Sequence, residues 1–183
     1  DATLYMSLLA VYTILLYKLA GQEDIIVGTP IAARRHADLE AIIGMFVNTL
    51  AIRNYPSPEK TFHCYLKEVK ERALAAFENQ EYQFEDLVGK VSVRRDTSRN
   101  PIFDVMLNLL NQEDYSGEIP GKADREEDKY EHQTGTSKFD LNLTAVDLGK
   151  HLFFTLEYST SLFKPGTIER FTGYFRKIFN TLS

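Results

Sequence analysis

Residues Ile43–Arg53 read IGMFVNTLAIR, and residues Arg94–Phe103 read RRDTSRNPIF. Each stretch sets polar residues of particular types inside or beside an apolar, strand-like run. In the first, Asn48 and Thr49 stand among Phe46, Val47 and Leu50. Asparagine is a poor strand former, and its amide, if buried, must find partners for one carbonyl and two N–H bonds. In the second, Arg94, Arg95, Asp96, Thr97 and Ser98 lead to Asn100-Pro101. The residue before a proline is held extended, so this entry prepares the apolar run that follows. A bland core requires neither pattern.

Outward from these stretches, the chain alternates between helical and strand periodicities. Leu4, Leu8, Leu9, Val11, Ile14, Leu15 and Leu16 predict a first helix that stops at Lys18 and Gly21 and is apolar on nearly all sides. Asp24–Ala32 and Met45–Ile52 read as β-branched strands. Pro58 and Glu59 are expected to open a helix through about Phe77, with Phe62, Leu66, Val69, Ala73, Leu74 and Phe77 on one face. A shorter helix follows over Phe84–Val91, then strands over Ile102–Leu110, Phe139–Val146 and Leu152–Tyr158. Pro165 starts a closing amphipathic helix that carries Ile168, Phe171, Phe175, Ile178 and Phe179. The fold class expected is α/β: a two-layer sandwich in which helices cover a mixed sheet. Between Gln112 and Ser137 large apolar residues are nearly missing and turn formers stand at Gly117, Pro120 and Gly121. A connection of that kind is either a plain flexible loop or an arm that reaches a partner.

Composition narrows the function classes. A chain of 183 residues with 44% hydrophobic and 26% charged residues builds one ordinary core. With a net charge of −5 and no basic stripe, it is a poor ligand for phosphate backbones, so nucleic acid is not an expected partner. One cysteine, Cys64, supports neither a disulfide framework nor the multi-cysteine zinc spacings, and suits a reducing cytoplasm. The first apolar run, broken by Ser7 and Thr13, falls short of the ~20 residues of a membrane span, so no membrane is expected. The opening Asp1-Ala2-Thr3 reads as part of something larger.

Self-contained catalytic chemistry is hard to find. His36, His63, His132 and His151 stand singly, without the spacing of a metal site. The sequence has no G-x-S-x-G elbow and no G-x-x-x-x-G-K phosphate loop. His63 and Cys64 are adjacent, but neighbours on a helix diverge by about 100° and do not face each other.

Four segments in order carry a resemblance: Gly28–Arg34 (GTPIAAR), Ile43–Arg53 (IGMFVNTLAIR), Tyr82–Leu87 (YQFEDL) and Arg95–Phe103 (RDTSRNPIF). With Phe139-Asp140-Leu141 after them, the whole chain resembles the C-terminal lobe of the condensation domain of nonribosomal peptide synthetases. The resemblance implies one of two lobes like chloramphenicol acetyltransferase, joined in a V around a tunnel. In that family the amine of an acceptor aminoacyl thioester attacks a donor acyl or peptidyl thioester, and a peptide bond forms. The family's H-H-x-x-x-D-G motif belongs to the N-terminal lobe and does not occur here, so the chain is expected to be inactive alone and to contribute no catalytic residue. It also implies no directly bound cofactor and no metal; the substrates ride on phosphopantetheine arms. The implied partners are the N-terminal lobe, peptidyl carrier domains and an adjacent adenylation domain, with a second copy of the chain as a further candidate through the exposed lobe interface.

Site roles carry over residue by residue. Asn48 matches the motif asparagine beside the tunnel, where it orients a thioester or its arm, or else ties two strands together as a buried amide. Arg34, Arg35 and His36 match a loop of the tunnel floor; a solvated basic turn is the other reading. Asp96, Ser98 and Arg99 are expected to form a turn network that sets the following strand. The 112–137 stretch matches a latch that crosses to the N-terminal lobe. A non-catalytic carrier-docking lobe, or a lobe of a related epimerization or heterocyclization domain, are the alternatives.

Overall fold

A computed structural model describes residues 2–32, 42–44, 46–91, 99–111 and 137–182. The first helix, α1 (Leu4–Ala20), begins where the Thr3 hydroxyl accepts from the Met6 N–H and ends where Gly21, at φ +66°, donates back to the Tyr17 carbonyl. As its run of apolar residues predicts, it is buried around most of its circumference, from Met6 and Leu8 through Tyr12 to Leu15 and Leu16. The strand β1 (Ile25–Ala32) pairs antiparallel with β2 (Val47–Asn54), from Ile25 opposite Asn54 to Ala32 opposite Val47. After them come α2 (Phe62–Glu78), α3 (Phe84–Lys90), β3 (Val105–Asn111), β4 (Leu141–Asp147), β5 (Leu152–Tyr158) and α4 (Pro165–Leu182).

The strands form one sheet in the order β2-β1-β3-β4-β5. Its centre is parallel, β1 with β3 and β3 with β4, while both outer pairs are antiparallel. The mixed sheet expected from the sequence is therefore present. Because side chains alternate along a strand, one face collects Val27, Leu50, Ile52, Leu107, Leu143 and Ala145, all in the buried cluster with α1, α2 and α4. The other face carries Gly28, Met106, Asn142 and Thr144. A polar hinge joins two helices in the core: the Thr13 hydroxyl donates to the Leu9 carbonyl at 2.7 Å and meets the Tyr65 hydroxyl at 2.7 Å. Burial pushes the Tyr65 phenol up to about 12.

Several boundaries differ from the sequence reading, each for a local reason. Residues 58–60 form a turn closed by Lys60 N–H to the Ser57 carbonyl, and α2 starts at Phe62 because Thr61 caps the Cys64 N–H. On α2, Leu74 is 43% exposed and Tyr65 takes a core position instead. Strand β2 runs beyond Ile52 to Asn54, since Arg53 reaches Asp24 through two N–H donors and Asn54 is fully buried. Strand β3 begins at Val105 rather than Ile102. The Phe103 N–H closes on the Pro101 carbonyl at 2.9 Å around Ile102, whose φ is +73°, which makes a γ-turn of the rare positive-φ kind. A β-branched residue in that region stores about 1–3 kcal/mol of strain, so the surrounding contacts must hold it there.

Candidate functional site

The four signature segments meet at one end of β3 and β4. Phe103 is 5% exposed and lies between Phe84 and Phe139, with ring centres 5.4 Å and 5.9 Å away. Its ring also presses on the backbone of Gly28, where an added Cβ would overlap it. Gly28 thus admits no side chain for a packing reason, and the strained turn at Ile102 aims Phe103 into the space so left. One aromatic contact set therefore joins segments that begin at residues 28, 82, 95 and 139.

Asn48 ties this set to the second strand. The side chain is 4% exposed, and every hydrogen-bonding position on it is used. Its Nδ2 donates to the carbonyls of Gln80, at 2.8 Å, and Tyr82, at 2.9 Å. Its Oδ1 accepts from the N–H of Thr49 at 2.8 Å and of Phe84 at 3.3 Å. The amide expected to tie two strands instead ties one strand to the turn between α2 and α3, and it satisfies an orphan N–H at the first turn of α3.

A charged group flanks the aromatic contacts. Asp104 and Asp140 stand immediately before β3 and β4, and the Asp140 N–H donates to the Asp104 carbonyl at 2.9 Å. Burial, and then the negative charge of Asp104, raise the Asp140 pKa, against the pull of Arg99. Arg99 is exposed and lies 4.0 Å from the Asp104 carboxylate, and Asn100 donates to the Lys138 carbonyl at 2.9 Å. Arg99 thus sits beside the start of the following strand. Asp96 and Ser98 lie outside the described residues, as do Arg34, Arg35, His36 and nearly all of the 112–137 stretch. Ser137 is described, its hydroxyl donating to the Phe139 carbonyl.

Among the described residues this arrangement is made of ring packing and hydrogen bonds. His63 and Cys64 are both exposed on α2, and His151 is exposed before β5. Among the described residues no cluster of His, Cys, Asp and Glu could hold a metal ion, and no helix is long and apolar enough to cross a membrane. The sequence reading missed Phe84, Phe103, Phe139 and Gly28 as a unit. The signal for it was one phenylalanine in each of the segments Tyr82–Leu87, Arg95–Phe103 and Phe139-Asp140-Leu141, but periodicity assigns such residues to local cores only.

Comparison with known proteins bears on the same segments. The family model described as "Condensation domain" matches residues 1–183. Bacitracin synthase 3 of Bacillus licheniformis is 50% identical over 182 residues, covering 100% of this chain and 3% of the synthase. Surfactin synthase subunit 1 of Bacillus subtilis (strain 168) is 50% identical over 183 residues, covering 100% of this chain and 5% of the subunit. The chain thus spans only a small fraction of these relatives. Among solved structures, a four domain nonribosomal peptide synthetase bound to AMP and glycine superposes with a TM-score of 0.84 at 21% identity, over 99% of this chain and 15% of that one.

Proposed function

The chain belongs to the condensation domain family, and from that premise we propose that it is the C-terminal lobe of a domain that forms peptide bonds between carrier-bound thioesters. The observation that carries this reading is the convergence of Gly28, Asn48, Phe84, Phe103 and Phe139 on one buried contact set, in a chain that has no H-H-x-x-x-D-G motif. A scaffold of this kind supplies one wall of a site whose base comes from elsewhere. In the reaction the acceptor amine forms a C–N bond to the donor carbonyl, the C–S bond breaks, and the departing thiolate takes up the proton that the amine gives up. Holding two tethered reactants at contact removes much of the entropic barrier, and a general base adds a further 10²–10⁴-fold. The partners in this reading are the N-terminal lobe with its histidines, carrier domains whose phosphopantetheine arms bring the substrates, and an adenylation domain. The 112–137 stretch serves as the arm that crosses to the N-terminal lobe, and Arg34, Arg35 and His36 serve the tunnel floor. Asn48 acts here through the α2–α3 turn rather than by touching substrate.

The test compares the chain alone with the chain joined to a lobe that carries H-H-x-x-x-D-G. Each is mixed with loaded donor and acceptor carrier domains, and the acceptor arm is weighed by mass spectrometry. Dipeptide is expected only from the joined form and is lost when the second histidine of that motif becomes alanine. Condensation by the chain alone overturns the assignment. A joined form that binds carriers without condensing them supports a docking lobe instead.

A further inference from the structure

A groove of about 770 Å³ lies between the C-terminal turns of α1 and α4 and the segment that leads from β2 into α2. Among the described residues, none that line it belongs to the four signature segments. Its charge runs against that of the molecule: the chain carries −5, yet among the described residues the groove is lined by Lys18, Lys60 and Lys177 and by no carboxylate. Lys60 is engaged, donating to Glu68 at 2.8 Å and to the Tyr55 carbonyl at 3.0 Å. Lys18 and Lys177 are exposed and make no ion pair among the described residues.

The apolar part of the groove has a helical period. Tyr174, Ile178 and Leu182 stand at successive i+4 positions of α4, a ridge about 12 Å long at 1.5 Å per residue. Tyr174 is 50% and Leu182 36% exposed, so the ridge is left partly wet. Ridges of this spacing seat the complementary ridges of another helix. These two lysines flank the ridge from two elements, Lys177 on α4 and Lys18 on α1. A small carboxylate would neutralise one of them and leave the ends of the ridge in water.

We propose that this groove docks an acidic amphipathic helix of a partner protein, its apolar stripe on Tyr174, Ile178 and Leu182 and its carboxylates facing Lys18 and Lys177. The surface is separate from the aromatic contact set, so the proposal stands or falls apart from the condensation reading.

Three synthetic helical peptides test it, sharing one leucine stripe and differing only in whether the remaining positions are glutamate, glutamine or lysine. Binding to the full chain is followed by fluorescence anisotropy. The glutamate peptide is expected to bind about ten-fold more tightly than the glutamine peptide, the scale of two screened ion pairs, with the lysine peptide weakest and the preference shrinking as salt is added. Lys18→Glu with Lys177→Glu reverses the order of the peptides. Tyr174→Ser weakens all of them while circular dichroism stays unchanged. Equal binding of the three peptides, an order that survives the charge reversal, or no binding overturns the proposal. Displacement of the glutamate peptide by laurate below its micelle concentration assigns the groove to a small amphiphile, and self-association lost in Tyr174→Ser assigns it to a second copy; either result also overturns it.

Discussion

Replacing Asn48 with alanine removes one side chain and leaves several backbone groups without partners, so its cost can be worked from the geometry. The two carbonyls of Gln80 and Tyr82 lose well-placed amide donors at 2.8 Å and 2.9 Å, and the N–H groups of Thr49 and Phe84 lose an acceptor. With about 1 kcal/mol for each carbonyl contact and about half that for each accepted N–H, the loss approaches 3 kcal/mol. Tyr82 is an exposed residue, so water that reaches its freed carbonyl reduces the loss toward about 2 kcal/mol. Asn48→Asp should be worse than alanine, because it keeps the acceptors and turns the two donors into a carboxylate oxygen that faces two carbonyls. Urea unfolding of the chain, followed by far-ultraviolet circular dichroism, measures both variants. The midpoint should fall at constant slope, and further for aspartate. An alanine variant within about 0.5 kcal/mol of the parent, at unchanged slope, would refute the tie between β2 and the α2–α3 turn. In the joined two-lobe domain, turnover per folded molecule should then drop only as far as the turn itself shifts.

Gly28→Ala should destabilise the chain by about 2 kcal/mol, because its Cβ overlaps the Phe103 ring, and Phe103→Leu should recover part of that loss. A double-mutant cycle with no coupling between the two positions would contradict the packing. The acidic group gives a pH signature of definite sign. The folded pKa of Asp140 lies above its unfolded value, so its contribution is fully present below the unfolded carboxylate range, near 3.9, and is lost as pH rises through the folded value. Asp140→Asn should therefore gain stability relative to the parent between acid and neutral pH, and Asp104→Asn should narrow that gain by removing the like charge. A difference that is flat with pH would dispose of this account.

The sequence displays local order well because helix and strand periods are local. The enclosed helix Leu4–Ala20, the strand Leu152–Tyr158 and the stripe of Ile168, Phe171 and Phe175 all lie where the periodicity places them. Boundaries moved where one residue outweighed the pattern. Thr61 offers a better cap than Pro58 or Glu59, and the γ-turn at Ile102 delays a strand whose apolar run starts earlier. Leu74 fits a helical stripe yet is exposed, because stripes fix a direction but not its width.

What periodicity could not supply is the meeting of distant segments. Phe84, Phe103 and Phe139 each read as an ordinary apolar residue near the start of an element, and only the tertiary fold stacks them on Gly28. One long-range consequence, however, follows from topology. The strands β3 and β4 run parallel, with Val105 opposite Leu141 and Asn111 opposite Asp147. The chain leaves β3 at one end of the sheet and must re-enter β4 at the other, a return of about 20 Å at 3.3 Å per residue. A tight hairpin cannot make that return, and a parallel pair needs a crossover of about a dozen residues or more. The polar stretch from Gln112 to Ser137 is thus required in part by strand direction alone. Its excess over the minimum length is what the proposed arm to a second lobe accounts for, and the aromatic contacts around Phe139 fix the point at which the chain comes back.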